Sequence, residues 1–216
     1  MRRNSRNHLP RSLWSTHNLE GHGLPRVPES ATMLYPLLAA QEIGPPLREK
    51  IATIESLGGD ARFFQFAAHA PHVVQLYWVQ FYQEVFFKGV LPVRLKEIAR
   101  LRLAALNGCS FCQAGDRASA MANGVTEAEV EAIFGDDGQC PSFSTAEQAA
   151  SDAASRMSNF DSEGILGDAL QARLVQQFTA EELVELFAVI GILTGMARML
   201  LAAGFISRSC EISPQG

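Results

Sequence analysis

"PVRLKEIARLRLAALNGCSFCQAGD", residues 92–116, is the stretch from which fold and chemistry both follow. Proline suits the first turn of a helix, where its missing N–H has no intrahelical partner to lose. After Pro92, Leu95, Ile98, Leu101 and Ala105 recur at helical spacing, with Glu97 off their stripe. Asn107-Gly108 ends or bends that helix, because both residues tolerate left-handed backbone. If a second helix starts near Cys109, steps of about 100° per residue set Cys112 some 60° away and Asp116 about 20° away, all on one face.

The same helical punctuation continues on both sides. Upstream, Leu47, Ile51 and Ile54 predict an amphipathic helix ending at Gly58-Gly59, followed by an aromatic turn of helix around residues 63–68. "PHVVQLYWVQFYQEVFFKG", residues 71–89, opens on proline and closes on Gly89 at the expected left-handed position. It is apolar nearly all round, which predicts a place in the core or at a subunit interface. Downstream, Thr126 with Glu129, Ser144 with Glu147 and Thr179 with Glu182 are capping boxes, in which hydroxyl and carboxylate satisfy free backbone donors reciprocally. The last long helix, "AEELVELFAVIGILTGMARMLLAAG", stops at Gly204. No stretch has strand periodicity, so the expected class is all-α.

The chain has 216 residues, enough for one well-buried core, and 47% hydrophobic with 19% charged residues is an ordinary globular composition. Residues 1–27 read as a basic, disordered N-terminal segment and residues 28–216 as one helical domain. The net charge is −5 although Arg2, Arg3, Arg6 and Arg11 add +4 before the first acid, which leaves −9 on the rest. A body this acidic argues against nucleic-acid binding. The most apolar run, Leu186 to Ala197, holds 12 uncharged residues, short of the ~20 that span a bilayer, so no membrane helix is expected. Four cysteines are too few for a disulfide scaffold, and no apolar signal region follows the arginines, so a reducing cytoplasmic location is expected.

Cys109 and Cys112 form a C-x-x-C pair with three open readings. As a redox dithiol, it would gain from the first turn of a helix, whose free N–H groups and partial positive charge favour a thiolate. A sulfenic acid on one sulfur could then be resolved by the other. As a zinc site it would need four ligands, and no second C-x-x-C or spaced His pair is present. His69 and His72 could in principle complete one, but they flank Pro71 at a helix entrance, where turn-forming or capping roles are commoner. The third reading is a pair of inert core thiols. Cys140 and Cys210 have no spacing partner.

The string from Glu97 through Cys109, Ser110, Phe111 and Cys112 resembles the core motif of the alkylhydroperoxidase D and carboxymuconolactone decarboxylase superfamily, whose redox-active members carry a helical glutamate 12 residues before the C-x-x-C, as here. The resemblance extends from about Pro28, through "AAHAP" at 67–71, to the terminal helix. It implies an AhpD-like helical bundle forming oligomers, often trimers or pairs of trimers, with thiol peroxidase or disulfide-relay activity and no bound cofactor or metal. It further implies that Glu97 and the residue at 116 relay protons for Cys109 and Cys112, with Cys112 attacking and Cys109 resolving. The helix-terminus argument alone favours Cys109 as nucleophile.

One departure matters. Redox-active relatives carry histidine four residues after the second cysteine, and this chain has Asp116. A carboxylate near pKa 3.9 facing a thiol near 8.5 is short by about 4.6 pKa units, roughly 6 kcal/mol uphill. Asp116 can serve as base only if burial and repulsion from Glu97 let the two share one proton and raise an apparent pKa toward neutrality. The alternative is a solvated or Arg-paired aspartate.

The leading expectation is therefore a hydroperoxide reductase cycling Cys109 and Cys112, with Glu97 and Asp116 as proton-handling residues and a thioredoxin-like or lipoyl-bearing reductant. Two other classes stand beside it: a decarboxylating lyase of the same superfamily, and a non-catalytic helical oligomer that senses redox state or binds a ligand.

Overall fold

A computed structural model describes residues 36–56, 61–108, 110–135, 138–158 and 166–205, with the backbone only at 46, 110–112 and 114. The segment 1–27, the Gly58-Gly59 pair, Cys109 and Cys210 lie outside the described residues. Every regular element among the described residues is helical. In chain order these are α1 (Pro45–Ser56), α2 (Arg62–Ala67), α3 (Pro71–Val74), α4 (Val93–Asn107), α5 (Ser110–Ala122), α6 (Glu127–Phe134), α7 (Thr145–Ser158), α8 (Asp168–Gln177) and α9 (Ala180–Ala202). A 3₁₀ turn at Ala40–Glu42 precedes α1.

The expected helix from Pro71 forms, but only its first turn is α-helical: Gln75–Phe86 continues α3 with π winding. Its end shows the wider ring, with the Phe87 N–H donating to the Tyr82 carbonyl over 3.0 Å. Widened turns of this kind occur mostly as short insertions near functional sites. The terminus differs from expectation at Gly89, which is absent from the glycines with positive φ. Glycine is required there because the Glu185 carboxylate occupies the place of a side chain.

All three capping boxes are present. The Glu129 N–H donates to Thr126 Oγ1, the Glu182 N–H to Thr179 Oγ1 and the Glu147 N–H to Ser144 Oγ, and each glutamate accepts the cap residue's N–H in return. Each supplies partners for donors that the first helical turn cannot satisfy.

Helix α4 is the axis of the fold, and its burial corrects the single-stripe reading. All of Leu95 through Ala104 is buried, including Lys96, Glu97, Arg100 and Arg102. Leu95, Ala99 and Leu103 pack with the π-wound segment, α7, α8 and α9 through Phe86, Ala150, Leu174, Leu186 and Ile190. Ile98 and Leu101 pack the other way, against Ala120 of α5 and Val130 and Ile133 of α6. A third cluster joins α1, α2 and the end of α9 through Ile51, Phe63, Phe64 and Phe205.

Charged residues survive inside this core because each has partners. Lys96 Nζ donates to the Val85 carbonyl and to Glu185 Oε1, both at 2.8 Å. Glu185 also accepts the N–H groups of Val90 and Leu91, so one carboxylate pins the 89–91 turn to α4 and α9. Burial alone would raise its pKa, but Lys96 and those N–H groups hold it below the ordinary carboxylate range. Arg94 Nη2 meets Glu129 Oε1 and Arg94 Nε meets Glu147 Oε1, both at 2.7 Å, tying α4 to α6 and α7.

By length and composition α9 is apolar enough to cross a bilayer, which corrects the count made on Leu186 to Ala197 alone. Its charges cluster near the two ends, so a longer window passes. The buried side of α9 supplies Leu186, Val189, Ile190, Leu193 and Met196 to the helical core.

Candidate active site

The site is built where the chain reverses between α4 and α5. Helix α4 ends at Asn107, whose Nδ2 donates to the Leu103 carbonyl, and Gly108 takes left-handed backbone at φ 61°. That conformation is open to glycine at little steric cost. The reversal lays α5 against α4, so Glu97 is met by residues from the far half of α5. On an unbroken helix Glu97 and Cys109 would be ~18 Å apart by rise alone. The break demanded by any shared role for the two is therefore present.

Glu97 is fully buried although it lies off the apolar stripe of its helix. Its Oε2 accepts from Arg100 Nη2, and its Oε1 accepts from Ser119 Oγ at 2.7 Å and from Asn123 Nδ2 at 3.2 Å. Arg100 Nε stands 3.4 Å from Asp116 Oδ1, within ion-pair reach but outside hydrogen-bond geometry. The guanidinium carbon lies 4.9 Å from the centroid of the buried Phe86 ring. Tyr82, from the π-wound segment, lies near the same guanidinium, and the two interact electrostatically.

Two carboxylates thus share one arginine in a water-poor setting. Burial pushes the Asp116 carboxyl up to about 6, Arg100 opposes this, and the Glu97 charge adds to the rise. Burial works against the Arg100 charge, but attraction to Asp116 and then Glu97 outweighs it and raises the guanidinium above its ordinary value. Tyr82 is pushed up to about 12, chiefly by burial. It stays neutral at physiological pH.

Of the four residues the sequence singles out, Glu97 and Asp116 are brought together by Arg100. Cys112 belongs to α5, one helical turn before Asp116, and its side chain is outside the described residues, as is all of Cys109. Arg100, Tyr82, Ser119 and Asn123 were missed. A signal existed for two: Asp116, Ser119 and Asn123 lie three and four residues apart, a polar stripe along and just beyond α5. His69 Nε2 lies 2.9 Å from the Pro36 carbonyl oxygen, a local contact at the helix entrance. Among the described residues, no cluster of three or more His, Cys, Asp or Glu is arranged to hold a metal ion.

Two helices thus fold back on a buried carboxylate–guanidinium cluster, with a C-x-x-C in the sequence at the reversal. Residues 73–156 match the model of the Carboxymuconolactone decarboxylase family. The matched stretch includes the π-wound segment, α4 and α5, which build the site. Among solved structures it is similar to an alkylhydroperoxidase AhpD core protein, an uncharacterized peroxidase-related protein from Ralstonia eutropha, with TM-score 0.64 and 17% identity over 80% of this chain and 90% of that one. An uncharacterized peroxidase-related protein from Silicibacter superposes with TM-score 0.62 at 16% identity, over 83% and 93% of the two chains. A protein of unknown function from Agrobacterium tumefaciens gives TM-score 0.54 at 20% identity, over 64% and 92%. Likeness at these identities establishes the fold. No curated protein matches the chain.

Proposed function

We propose that the chain is a thiol-dependent hydroperoxide reductase in which Cys109 and Cys112 cycle between dithiol and disulfide. The observation that carries this reading is a pair of carboxylates, Glu97 and Asp116, that share Arg100, with Asp116 one helical turn beyond residue 112 and pushed up to about 6 by burial. With Asp116 at about 6 and a thiol near 8.5, proton transfer is uphill by about 2.5 pKa units, roughly 3.4 kcal/mol, instead of about 6. A helix terminus that lowers the thiol value narrows the gap further.

Asp116 carboxylate takes the proton of the attacking thiol. The thiolate attacks the terminal oxygen of the hydroperoxide, an S–O bond forms as the O–O bond breaks, sulfur becomes sulfenic acid and the alkoxide leaves with the proton from Asp116. The second thiol gives its proton to Asp116, attacks the sulfenic sulfur, and hydroxide departs with that proton as water. Dithiol and hydroperoxide thus give disulfide, alcohol and water, and an external dithiol of thioredoxin-like or lipoyl type restores the starting state.

A homo-oligomer, trimer or hexamer, is part of the proposal. It is supported by the outer face of α9, where Val184, Ala188, Gly191 and Gly195 are exposed and small or apolar enough for close approach. Thiol titration before and after one equivalent of hydroperoxide, followed by turnover with dithiothreitol, tests the activity. Loss of two thiols with turnover is expected. Loss without turnover favours a sensor, and no loss favours a lyase.

A further inference from the structure

We infer that the site admits uncharged hydroperoxides and turns away anionic ones. This names the substrate class of the site already described and rests on the reductase reading. Its physical basis is the balance of charge around the reacting sulfur, together with the burial of the cation.

Two carboxylates, Glu97 and Asp116, face one cation, Arg100. In the reacting form a thiolate adds one negative charge, and the proton it released sits on one of the carboxylates. Arg100 contributes +1, the thiolate −1 and the carboxylate still ionised −1, so the sum is −1 whichever of the two holds the proton. The first turn of α5 offsets about half a unit of this. Neighbouring cations are committed elsewhere. Arg117 is engaged by Glu127 and Glu131 of α6, Arg94 by Glu129 and Glu147, and Lys96 by Glu185. Arg102 donates to Ser155 of α7 and to the carbonyls of Ile133 and Gly135.

Burial widens the imbalance. The Asp116 side chain keeps 21% exposure and that of Arg100 only 8%. Arg100 Nε is shut off from solvent, the Phe86 ring lies against the guanidinium with its centroid at 4.9 Å, and Nη2 is taken by Glu97. A molecule approaching the dithiol therefore meets the Asp116 carboxyl before it meets the positive charge. Positions 112 and 116 share a face of α5, separated by about 6 Å of helical rise. A carboxylate carried on the substrate at ~8 Å from one unbalanced charge is repelled enough to slow reaction roughly 2- to 30-fold, for effective dielectric constants of about 80 down to 20. An uncharged hydroperoxide meets no such penalty.

Single-turnover oxidation of the reduced full chain, followed by thiol loss, tests this with two hydroperoxides that share one reacting centre. One is cumene hydroperoxide carrying a para carboxylate, and the other is the methyl ester of that compound. Each rate is divided by that of free dithiothreitol with the same compound and salt, which removes differences in O–O reactivity. The ester should react about fivefold faster at about 10 mM salt and about equally at about 1 M, where the screening length has shrunk from ~30 Å to ~3 Å. Asp116→His adds one positive charge to the reacting form once the imidazole has taken the thiol proton, and should bring the low-salt ratio near unity. The salt dependence of the parent chain decides the matter alone should that variant not fold. Equal rates at low salt, a faster carboxylate, a gap untouched by salt, or a gap untouched by Asp116→His overturns the inference. Failure of both compounds to remove thiols is a separate result, which refutes the reductase reading and the inference with it.

Discussion

Replacing Asp116 by asparagine should stabilise the protein, and only above acidic pH. The folded state raises the Asp116 carboxyl from 3.8 to about 6, so between those values the folded chain binds a proton that the unfolded chain has released. Stability must then fall as pH rises through that window, because the unfolded state holds fewer protons. The interval of about 2.2 pKa units amounts to roughly 3 kcal/mol at most, and the partial exposure of the side chain trims it toward 1–2. Asparagine imitates the neutral acid, keeps a similar volume and leaves the Arg100–Glu97 pair intact. Urea unfolding at pH 4 and at pH 7.5 measures the effect. The variant should match the parent at pH 4 and exceed it by about 1–2 kcal/mol at pH 7.5, a rise of roughly 2–8 °C in Tm for a chain of this size. A variant less stable than the parent at both pH values would refute the reasoning, since it would show ionised Asp116 to be a net stabilising partner of Arg100.

Other substitutions probe the scaffold around the site. Arg94 holds the Glu129 carboxyl down at about 2, so its contribution is complete above the unfolded value near 4.5 and is lost as pH falls through about 2. Glu129→Gln should cost roughly 3 kcal/mol at pH 7 and progressively less toward pH 2, read by denaturant unfolding. Lys96→Met leaves Glu185 buried without its cation and should cost about 3–5 kcal/mol, while adding Glu185→Gln should recover much of it in a double-mutant cycle. Gly89→Ala drives a methyl into the Glu185 carboxylate and should cost about 1–3 kcal/mol by thermal unfolding.

The helices and their caps were legible because they are written in local rules. Thr126–Glu129, Ser144–Glu147 and Thr179–Glu182 each name a helix start without reference to the rest of the chain. Helix α4 was misread for the opposite reason. Lys96, Glu97, Arg100 and Arg102 look like a solvent face until their partners on α5, α9 and the loops beyond α6 are known. Gly89 shows the same limit, since a glycine kept for close approach has the same letter as one kept for a left-handed turn. A meeting of Glu97 with Asp116 was one of two readings, beside a solvated or Arg-paired aspartate, and the arginine that stands between them, Arg100, was not foreseen. Arg100 lies three residues after Glu97, a spacing that an exposed helical ion pair would share. Tyr82 comes from a π-wound segment, whose register departs from the 3.6-residue period used to read helices.

Peptide mapping of the full chain after one equivalent of hydroperoxide and immediate alkylation bears most directly on the proposed chemistry. A disulfide joining residues 109 and 112 should appear, with Cys140 and Cys210 recovered in alkylated form. Recovery of both C-x-x-C thiols as alkylated peptides, with the hydroperoxide unconsumed, would contradict the proposal.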